Sequence, residues 1–325
     1  MSPAAAALTE RRLVVVTGKG GTGKTTVTAA LGLAAARQGL RTLAVEVGAK
    51  ESIAPLVAPG SPPVGYRGRS LAPGFTVMRI DPYEALAEYL VLQLGARFVV
   101  ERVLANRGFR QLMNASPGWR DLITLGKVWH LERMEDAPGR PKFDLIVVDA
   151  PATGHGVAFL DVPRVVVSAV RAGPLRRHSQ AVEDLIRDPE RTVLLPVTLA
   201  EELPTRETEE LVAAVRNRLL IPMDRLVVNA FAENPFPPGL ERLDEPLRRL
   251  APDERFGGLP PNGAIADCAA FLGARHRLNR AYERELAEST GLPPVRLPFL
   301  PAGPGDAAAL ADLGDLLLAS SGSPP

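Results

Sequence analysis

The stretch RLVVVTGKGGTGKTT, residues 12–26, decides the fold. Its first six residues are mostly β-branched and apolar with no polar alternation, which is typical of a strand buried on both faces of a parallel sheet. Glycines crowd the next segment, 18–23, and residues 24–38 carry an apolar helical face that Gly39 is well suited to end. The stretch therefore predicts a strand, a tight turn and a helix, which is the opening unit of an α/β domain.

The glycine-rich turn has the composition of a phosphate-binding loop. Glycines let the backbone curl so that successive N–H groups point inward at phosphate oxygens, and the start of the next helix adds the positive end of its dipole. In such a loop Lys24 would reach the β- and γ-phosphates of ATP, and the Thr25 hydroxyl would bind Mg²⁺. The predicted nucleotide-binding residues of the loop are Gly20, Gly21, Thr22, Gly23, Lys24, Thr25 and Thr26.

Strand-like and helix-like segments alternate along the rest of the chain. Further strands are predicted at 42–47, 75–80, 143–149, 192–198, 225–230 and 295–299. Helices are predicted at 175–187, 204–219, 239–250 and 263–289, and loops at 58–74 and 231–239. Because strands and helices alternate, we expect one doubly wound, mostly parallel α/β domain.

The domain is predicted to span residues 11–319. A block without strong strand candidates, about 82–137, is expected to form an inserted helical subdomain together with parts of 156–190. Residues 1–10 are expected to be a flexible N-terminus, and 320–325 a disordered tail.

Composition excludes several classes of protein. A formal net charge of +1 argues against a nucleic-acid binder that relies on bulk charge, and 5% aromatic residues argue against stacking on single strands. A single cysteine, Cys268, cannot form a disulfide framework or a multi-cysteine metal site within the chain, and we expect it to be a small core residue. With no apparent targeting segment and no apolar run long enough for a membrane span, we expect a cytoplasmic protein without nucleic-acid partner or stable membrane insertion, although peripheral membrane contact is left open.

Lys19 and Asp149 complete the predicted site. Lysine is scarce: five of the 38 basic residues are lysines, yet Lys19 and Lys24 both lie within the glycine-rich turn. Asp149 closes the apolar strand 143–149, where an acid paired with a phosphate loop is expected to hold Mg²⁺ through water.

These motifs resemble a known family. A lysine directly after the first glycine, as Lys19 stands here, resembles the deviant Walker A class of P-loop ATPases, which includes MinD, ParA, the nitrogenase iron protein and the ArsA ATPases. DAPATGHG, 149–156, resembles the DTAPTGH switch II of the ArsA and tail-anchored-protein-targeting ATPase family. Weaker likenesses lie at 117–129, 197–211, 227–231 and 297–304. The pattern is most similar to the short bacterial ArsA-like proteins of the anion-transporting ATPase type.

The resemblance implies a dimeric ATPase that uses ATP and Mg²⁺. Lys19 would reach across the dimer interface to the partner's nucleotide, and switch II, comprising Pro151, Thr153, Gly154 and His155, would sense the γ-phosphate. Asn229 would hydrogen-bond the adenine edge, and Pro298, Phe299 and Leu300 would line the adenine. The expected partners are a second copy of the chain or a paralogue, and an unidentified protein client.

Switch I departs from the family pattern. Within VEVGAKES, 45–52, Gly48 takes the place of the aspartate that positions the attacking water. Glu46 or Glu51 could substitute for it, and Glu46 could instead bind Mg²⁺ through water. Lys19, Lys24, Glu46 and Asp149 are therefore the predicted catalytic residues. The chain also lacks the cysteine triad of the arsenite pumps and the CxxC of the targeting factors.

Two alternatives to a client-directed nucleotide switch stay open. One is a targeting factor for tail-anchored membrane proteins, for which an apolar groove would be needed. The candidate groove residues are Leu86, Leu90, Leu94, Phe98, Leu104, Phe109, Leu112 and Met113. The other is a MinD- or ParA-like positioning ATPase, or a weakly hydrolysing scaffold paired with a paralogue. Residues 305–319 contain no lysine or arginine, which argues against a MinD-like membrane helix.

Overall fold

A computed structural model gives the architecture of the chain. It describes every residue except 1–7, 49, 96, 109–110, 112–116, 235, 237–243, 256, 302, 304 and 320–325. The strands are β1 Leu13–Gly18, β2 Thr42–Glu46, β3 Arg69–Ala72, β4 Phe75–Arg79, β5 Glu135–Ala137, β6 Arg140–Pro141, β7 Leu145–Ala152, β8 Thr192–Leu199, β9 Leu226–Phe231 and β10 Pro294–Pro298.

The α-helices are α1 Lys24–Arg37, α2 Ile53–Val57, α3 Pro82–Leu94, α4 Arg97–Ala105, α5 Pro117–Glu132, α6 Thr153–Ala169, α7 Pro174–Arg187, α8 Glu202–Ala214, α9 Asp244–Arg248, α10 Asn262–Thr290 and α11 Ala307–Ala319. A π-helical turn, Val215–Leu219, continues α8. No helix in the part of the chain that the structure describes combines the length and apolar character needed to cross a membrane.

Eight strands form the main sheet, in the order β10-β9-β8-β1-β7-β2-β4-β3. Every neighbouring pair is parallel except β3 and β4, which are antiparallel at the edge. The order places β1 between β7 and β8, so the chain that follows β1 emerges in the middle of the sheet. This confirms the predicted α/β fold with a mostly parallel sheet.

Helices cover both faces of this sheet. Leu13 and Val15 of β1 face one core, with Phe159 of α6 and Leu185 of α7. Their neighbours Val14 and Val16 face the other core, with α1 and α11. The continuous apolar run of β1 is thus explained, because alternate side chains enter two different cores.

The helical layer formed by α3, α5 and α7 encloses a cavity of about 210 Å³. Its walls are mainly apolar and include Leu86, Leu122, Trp119, Trp129 and His178. The chain has two tryptophans, and both line this cavity. Of the candidate groove residues, Leu86 lines the cavity and Phe98 is exposed, whereas Phe109, Leu112 and Met113 lie outside the described residues.

Several local expectations need correction. The seven strands predicted from apolar runs are confirmed within a few residues at their ends. However, β3 lies in a predicted loop, and β5 lies at the end of the predicted helical block, with its hairpin partner β6 just beyond it. Cys268 is exposed rather than buried, because the buried face of α10 runs through Ala266, Ala269 and Gly273. Within the predicted flexible N-terminus, residues 1–7 lie outside the described part, and Leu8 is fully buried. The predicted tail, 320–325, also lies outside it.

Candidate nucleotide-binding site

The glycine-rich loop between β1 and α1 lies at the carboxyl edge of the sheet, and two glycines shape it. A Cβ on Gly18 would lie 2.0 Å from the backbone oxygen of Val197 on β8, so the loop leaves the sheet through a gap that fits glycine. Gly23 precedes α1 in the left-handed region, with φ +90°, and a Cβ there would lie 2.1 Å from Nδ2 of Asn229. A side chain at either position would clash with these atoms, which explains why both residues are glycine.

Three side-chain hydrogen bonds to the loop backbone hold its curled conformation. Nζ of Lys24 donates to the carbonyl of Lys19 at 2.9 Å, and Oγ1 of Thr22 donates to the same carbonyl at 2.9 Å. Nδ2 of Asn229, near the end of β9, donates to the carbonyl of Thr22 at 2.8 Å. The structure therefore places Asn229 against the phosphate loop.

The predicted metal-side residues also meet. Oγ1 of Thr25 donates to Oδ2 of Asp149 at 2.7 Å, because α1 starts beside the end of β7. Burial raises the pKa of Asp149, while the Thr25 hydrogen bond and the positive charge of Lys24 act in the opposite direction. Burial also lowers the pKa of Lys24, which Asp149 opposes. A hydroxyl and a carboxylate are oxygen donors of the kind that Mg²⁺ prefers, so the residues present fit this ion.

Glu46 lies next to Asp149 across two parallel strands, since the two residues are register partners in β2 and β7. Its side chain is buried, and Oε1 accepts hydrogen bonds from the N–H groups of Ser52 at 2.5 Å and Ile53 at 2.9 Å. Oε2 is also buried and has no hydrogen-bond partner among the described residues. Burial raises the pKa of Glu46, and the charge of Asp149 raises it further. One oxygen thus caps α2, and the other is an acceptor at the edge of the site.

Glu51, the other acid considered for the switch I role, has a structural task. Its two carboxylate oxygens accept from the N–H groups of Val64 at 2.9 Å and Gly65 at 2.8 Å. Glu51 therefore links the loop after β2 to the segment that leads into β3. Gly48 lies in the same loop after β2 and is exposed.

The predicted switch II spans the junction of β7 and α6. Oγ1 of Thr17 donates to the carbonyl of Pro151 at 3.2 Å. His155, exposed on the first turn of α6, has its Nε2 3.9 Å from Oδ1 of Asp121 on α5. Gly154 is exposed, and the side chain of Thr153 lies outside the described part. This junction therefore touches both the phosphate loop strand and the helical layer.

The predicted adenine-side segment follows β10. The N–H of Phe299 donates to the carbonyl of Phe231 at 2.9 Å, so Pro298, Phe299 and Leu300 run past the end of β9, the strand that carries Asn229. The Phe299 ring is exposed, and the guanidinium of Arg275 on α10 lies 5.8 Å from its centroid. Sequence reasoning did not identify Arg275, since its contact depends on the path of α10.

Lys19 has a partner that the sequence did not predict. Its Nζ lies 2.6 Å from Oε1 of Glu207 on α8. Glu207 falls in the segment 197–211 whose E-T-E pattern contributed to the resemblance, but no pairing could be inferred across 188 residues of sequence.

Comparison with known proteins identifies the family of the chain. The profile of the anion-transporting ATPase family matches residues 11–177. ATPase BagA of Mycobacterium tuberculosis (strain ATCC 25618 / H37Rv) is 35% identical over 231 residues, which cover 67% of this chain and 64% of that protein. The arsenical pump-driving ATPase of Escherichia coli is 27% identical over 284 residues, covering 79% of this chain and 46% of that protein. ATPase GET3B of Arabidopsis thaliana is 26% identical over 270 residues, covering 68% and 64%.

The matched region spans 64% of the length of BagA, which is somewhat less than two thirds. The matched region contains the phosphate loop, Asp149 and the β7–α6 junction, which are the features that carried the resemblance. That resemblance to the ArsA family is confirmed: the chain belongs to the anion-transporting ATPase family.

Proposed function

We propose that the protein binds and hydrolyses ATP with Mg²⁺ and uses the nucleotide state to act, as a dimer, on a protein client. One observation carries the proposal: Lys24, Thr25 and Asp149 converge on a curled glycine loop at the carboxyl edge of a parallel sheet. Ligand sites in open α/β sheets form at this edge. Family membership supports the same activity.

Each side chain has a defined task in this proposal. The loop N–H groups and the Lys24 ammonium bind the phosphates, so the Lys24 bond to the carbonyl of Lys19 is exchanged for bonds to phosphate oxygens. Thr25 and Asp149 would hold Mg²⁺, which when bound neutralises charge on the phosphate oxygens. Oε2 of Glu46 is an acceptor available to orient the attacking water. Phe299 and Arg275 offer a flat surface for the base.

An exposed apolar band supports the dimer. Phe271, Arg275 and Leu278 share a face of α10, because they are four and three residues apart. Phe271 and Leu278 are exposed, and so are Phe299, which touches Arg275, and Leu203 on the first turn of α8. Exposed apolar residues grouped beside a site are typical of an interaction surface. A second copy, or a paralogue, covering this band would lie close to Lys19.

Targeting of tail-anchored proteins is a second candidate function. The apolar cavity between α3, α5 and α7, with Leu92 and Trp119 exposed at its walls, favours it. A MinD-like membrane helix is disfavoured, because α11 buries Leu310, Leu313 and Leu317 against the rest of the domain. Failure to bind a tail-anchor peptide in either nucleotide state would count against the targeting function.

Calorimetric titration with ATP and Mg²⁺ tests the nucleotide site. We expect the wild type to bind ATP saturably, and Lys24→Ala to bind it about 30-fold more weakly or worse, because charge-assisted hydrogen bonds contribute about 1.5–3 kcal/mol each. Lys142→Ala removes a lysine whose ammonium lies 5.5 Å from the ring of its neighbour Phe143, away from the loop, and serves as the control. Unchanged ATP binding by Lys24→Ala would refute the proposed site.

A further inference from the structure

The ion pair between Lys19 and Glu207 links the phosphate loop to α8. Helix α8 begins three residues after β8, the strand that neighbours β1, so its second turn passes beside the loop. The two side chains are 26% and 30% exposed, and their charged atoms are 2.6 Å apart. The distance is therefore short enough for Glu207 to orient Lys19. Because both side chains are partly exposed, Lys19 can exchange Glu207 for another anion.

The pair lies at the surface that the proposed dimer would bury. Gly20 and Gly21, directly after Lys19, are exposed, and Leu203, one helical turn before Glu207, is 58% exposed. A second copy that covers these exposed residues must displace the water around the ion pair. The Lys19 ammonium points at the Glu207 carboxylate of its own chain. To reach a phosphate bound to another subunit, it must first separate from that carboxylate.

We propose that Glu207 is a positioning residue that holds Lys19 within its own subunit and competes with the partner subunit's nucleotide for it. This inference rests on the proposed function, because it assumes that Lys19 acts across a dimer. The strength of the ion pair then helps to determine the concentration of nucleotide-bound protein at which two subunits dimerise. The ion pair also links the position of the loop to that of α8. Helix α8 in turn packs against both α6 and α10.

The expected size of the effect follows from the strength of the ion pair in each subunit. Partly exposed ion pairs contribute up to about 1 kcal/mol, which corresponds to about fivefold in an equilibrium constant. Glu207→Gln keeps the shape of the side chain and removes its charge. A symmetric dimer breaks two such pairs, one in each subunit, so we expect this variant to dimerise with ATP and Mg²⁺ at an up to about 25-fold lower protein concentration than the wild type. Glu210→Gln, an exposed site on the same helix, is the matched control and should behave as the wild type.

Sedimentation velocity measures dimerisation, and calorimetry on the same samples measures ATP binding. In a Lys19→Ala background, Glu207→Gln should have no further effect on dimerisation, because the competition requires both side chains. If ATP binds and the wild type dimerises, but Glu207→Gln dimerises no more readily, the role of Glu207 is refuted and the proposed function stands. If the wild type binds no ATP, the proposed function itself fails. If it binds ATP and stays monomeric, the dimer and the role of Glu207 fail together.

Discussion

The imidazole of His178 lies between two aromatic rings in the wall of the helical cavity. Ring centroids of Tyr89 and Trp129 lie 5.2 and 5.1 Å from it. Burial lowers its pKa, and the neighbouring His130 lowers it further. The folded protein therefore favours the neutral ring, whereas the unfolded chain takes up a proton near the ordinary pKa of about 6.5.

This difference gives a pH dependence of stability. Above pH 6.5 both states have a neutral imidazole, but below it the unfolded state binds the proton first, so stability falls as the pH decreases towards the folded-state pKa. His178→Phe keeps a ring and removes the titration. We expect the free energy of unfolding of this variant to fall less steeply between pH 7 and pH 5, by at most one proton or about 1.4 kcal/mol per pH unit.

Urea unfolding at a series of pH values, followed by tryptophan fluorescence, measures that slope. The comparison is between slopes, so a constant loss from repacking near Gly126, whose missing Cβ would lie 2.6 Å from Nε2 of His178, does not affect it. Equal slopes for the variant and the wild type would contradict the assigned cause.

Where one local rule applies, the sequence could predict which side chains lie close together. Lys24 and Thr25 follow the first predicted strand, Asp149 closes another, and the carboxyl ends of neighbouring parallel strands meet in space. The contact of Lys19 with Glu207 could not be predicted in this way, because it depends on how a turn of α8 lies against the loop. The same holds for Glu46, whose capping of α2 follows from the fold of the intervening loop.

At the scale of elements, α11 packs tightly against α1. A Cβ on Gly314 would lie 2.0 Å from the carbonyl oxygen of Ala30 and 2.6 Å from the Cβ of Ala34. Arg37 holds the same two helices together at the surface through Asp312 at 2.8 Å and Asp315 at 2.9 Å. Because α1 starts at the phosphate loop, α11 supports the element that carries the candidate site.

Gly314→Ala tests this packing. The obstructing atoms are backbone atoms of Ala30 and the Cβ of Ala34, none of which can rotate away. One helix must therefore shift, and overpacking of this kind costs about 1–3 kcal/mol. We expect thermal or urea unfolding to show a loss of that size. Gly118→Ala is the control, since no atom lies within 4 Å of its added Cβ, and a helical Gly→Ala change without obstruction is neutral or stabilising by up to about 1 kcal/mol. A Gly314→Ala protein as stable as the control would show that α11 can move freely.

Elements with a clear period were predictable, and those that break the usual rules were not. Helix α1 carries a continuous apolar face and ends beside Gly39, whereas α6 contains Pro163 and starts with glycines at 154 and 156, residues that usually argue against a helix. The hairpin of β5 and β6 follows α5 directly and is only three and two residues per strand, too short for an alternating pattern.

At the scale of the whole molecule, α5 connects the candidate nucleotide site with the helical cavity. Asp121 on this helix faces His155 of the predicted switch II, with 3.9 Å between Oδ1 of Asp121 and Nε2 of His155. Trp119 and Trp129 on the same helix line the cavity. Burial raises the pKa of Asp121, and the nearby charge of His155 opposes that rise. A movement at the β7–α6 junction would thus be passed to the cavity through one helix.

Because both tryptophans of the chain lie on α5, their emission reports on this helix directly. We expect ATP with Mg²⁺ to change the intensity or the wavelength of the tryptophan emission of the wild type, since His155 of the proposed switch contacts Asp121 on α5. Asp121→Asn keeps the size of the side chain and removes its charge, so it should bind ATP as tightly as the wild type but give a smaller fluorescence change. Asp136→Asn, on the exposed β5–β6 hairpin, is the matched acid-to-amide control and should retain the full change. An undiminished change in Asp121→Asn would mean that the nucleotide state reaches the helical layer by another route, such as the packing of α6 on α7.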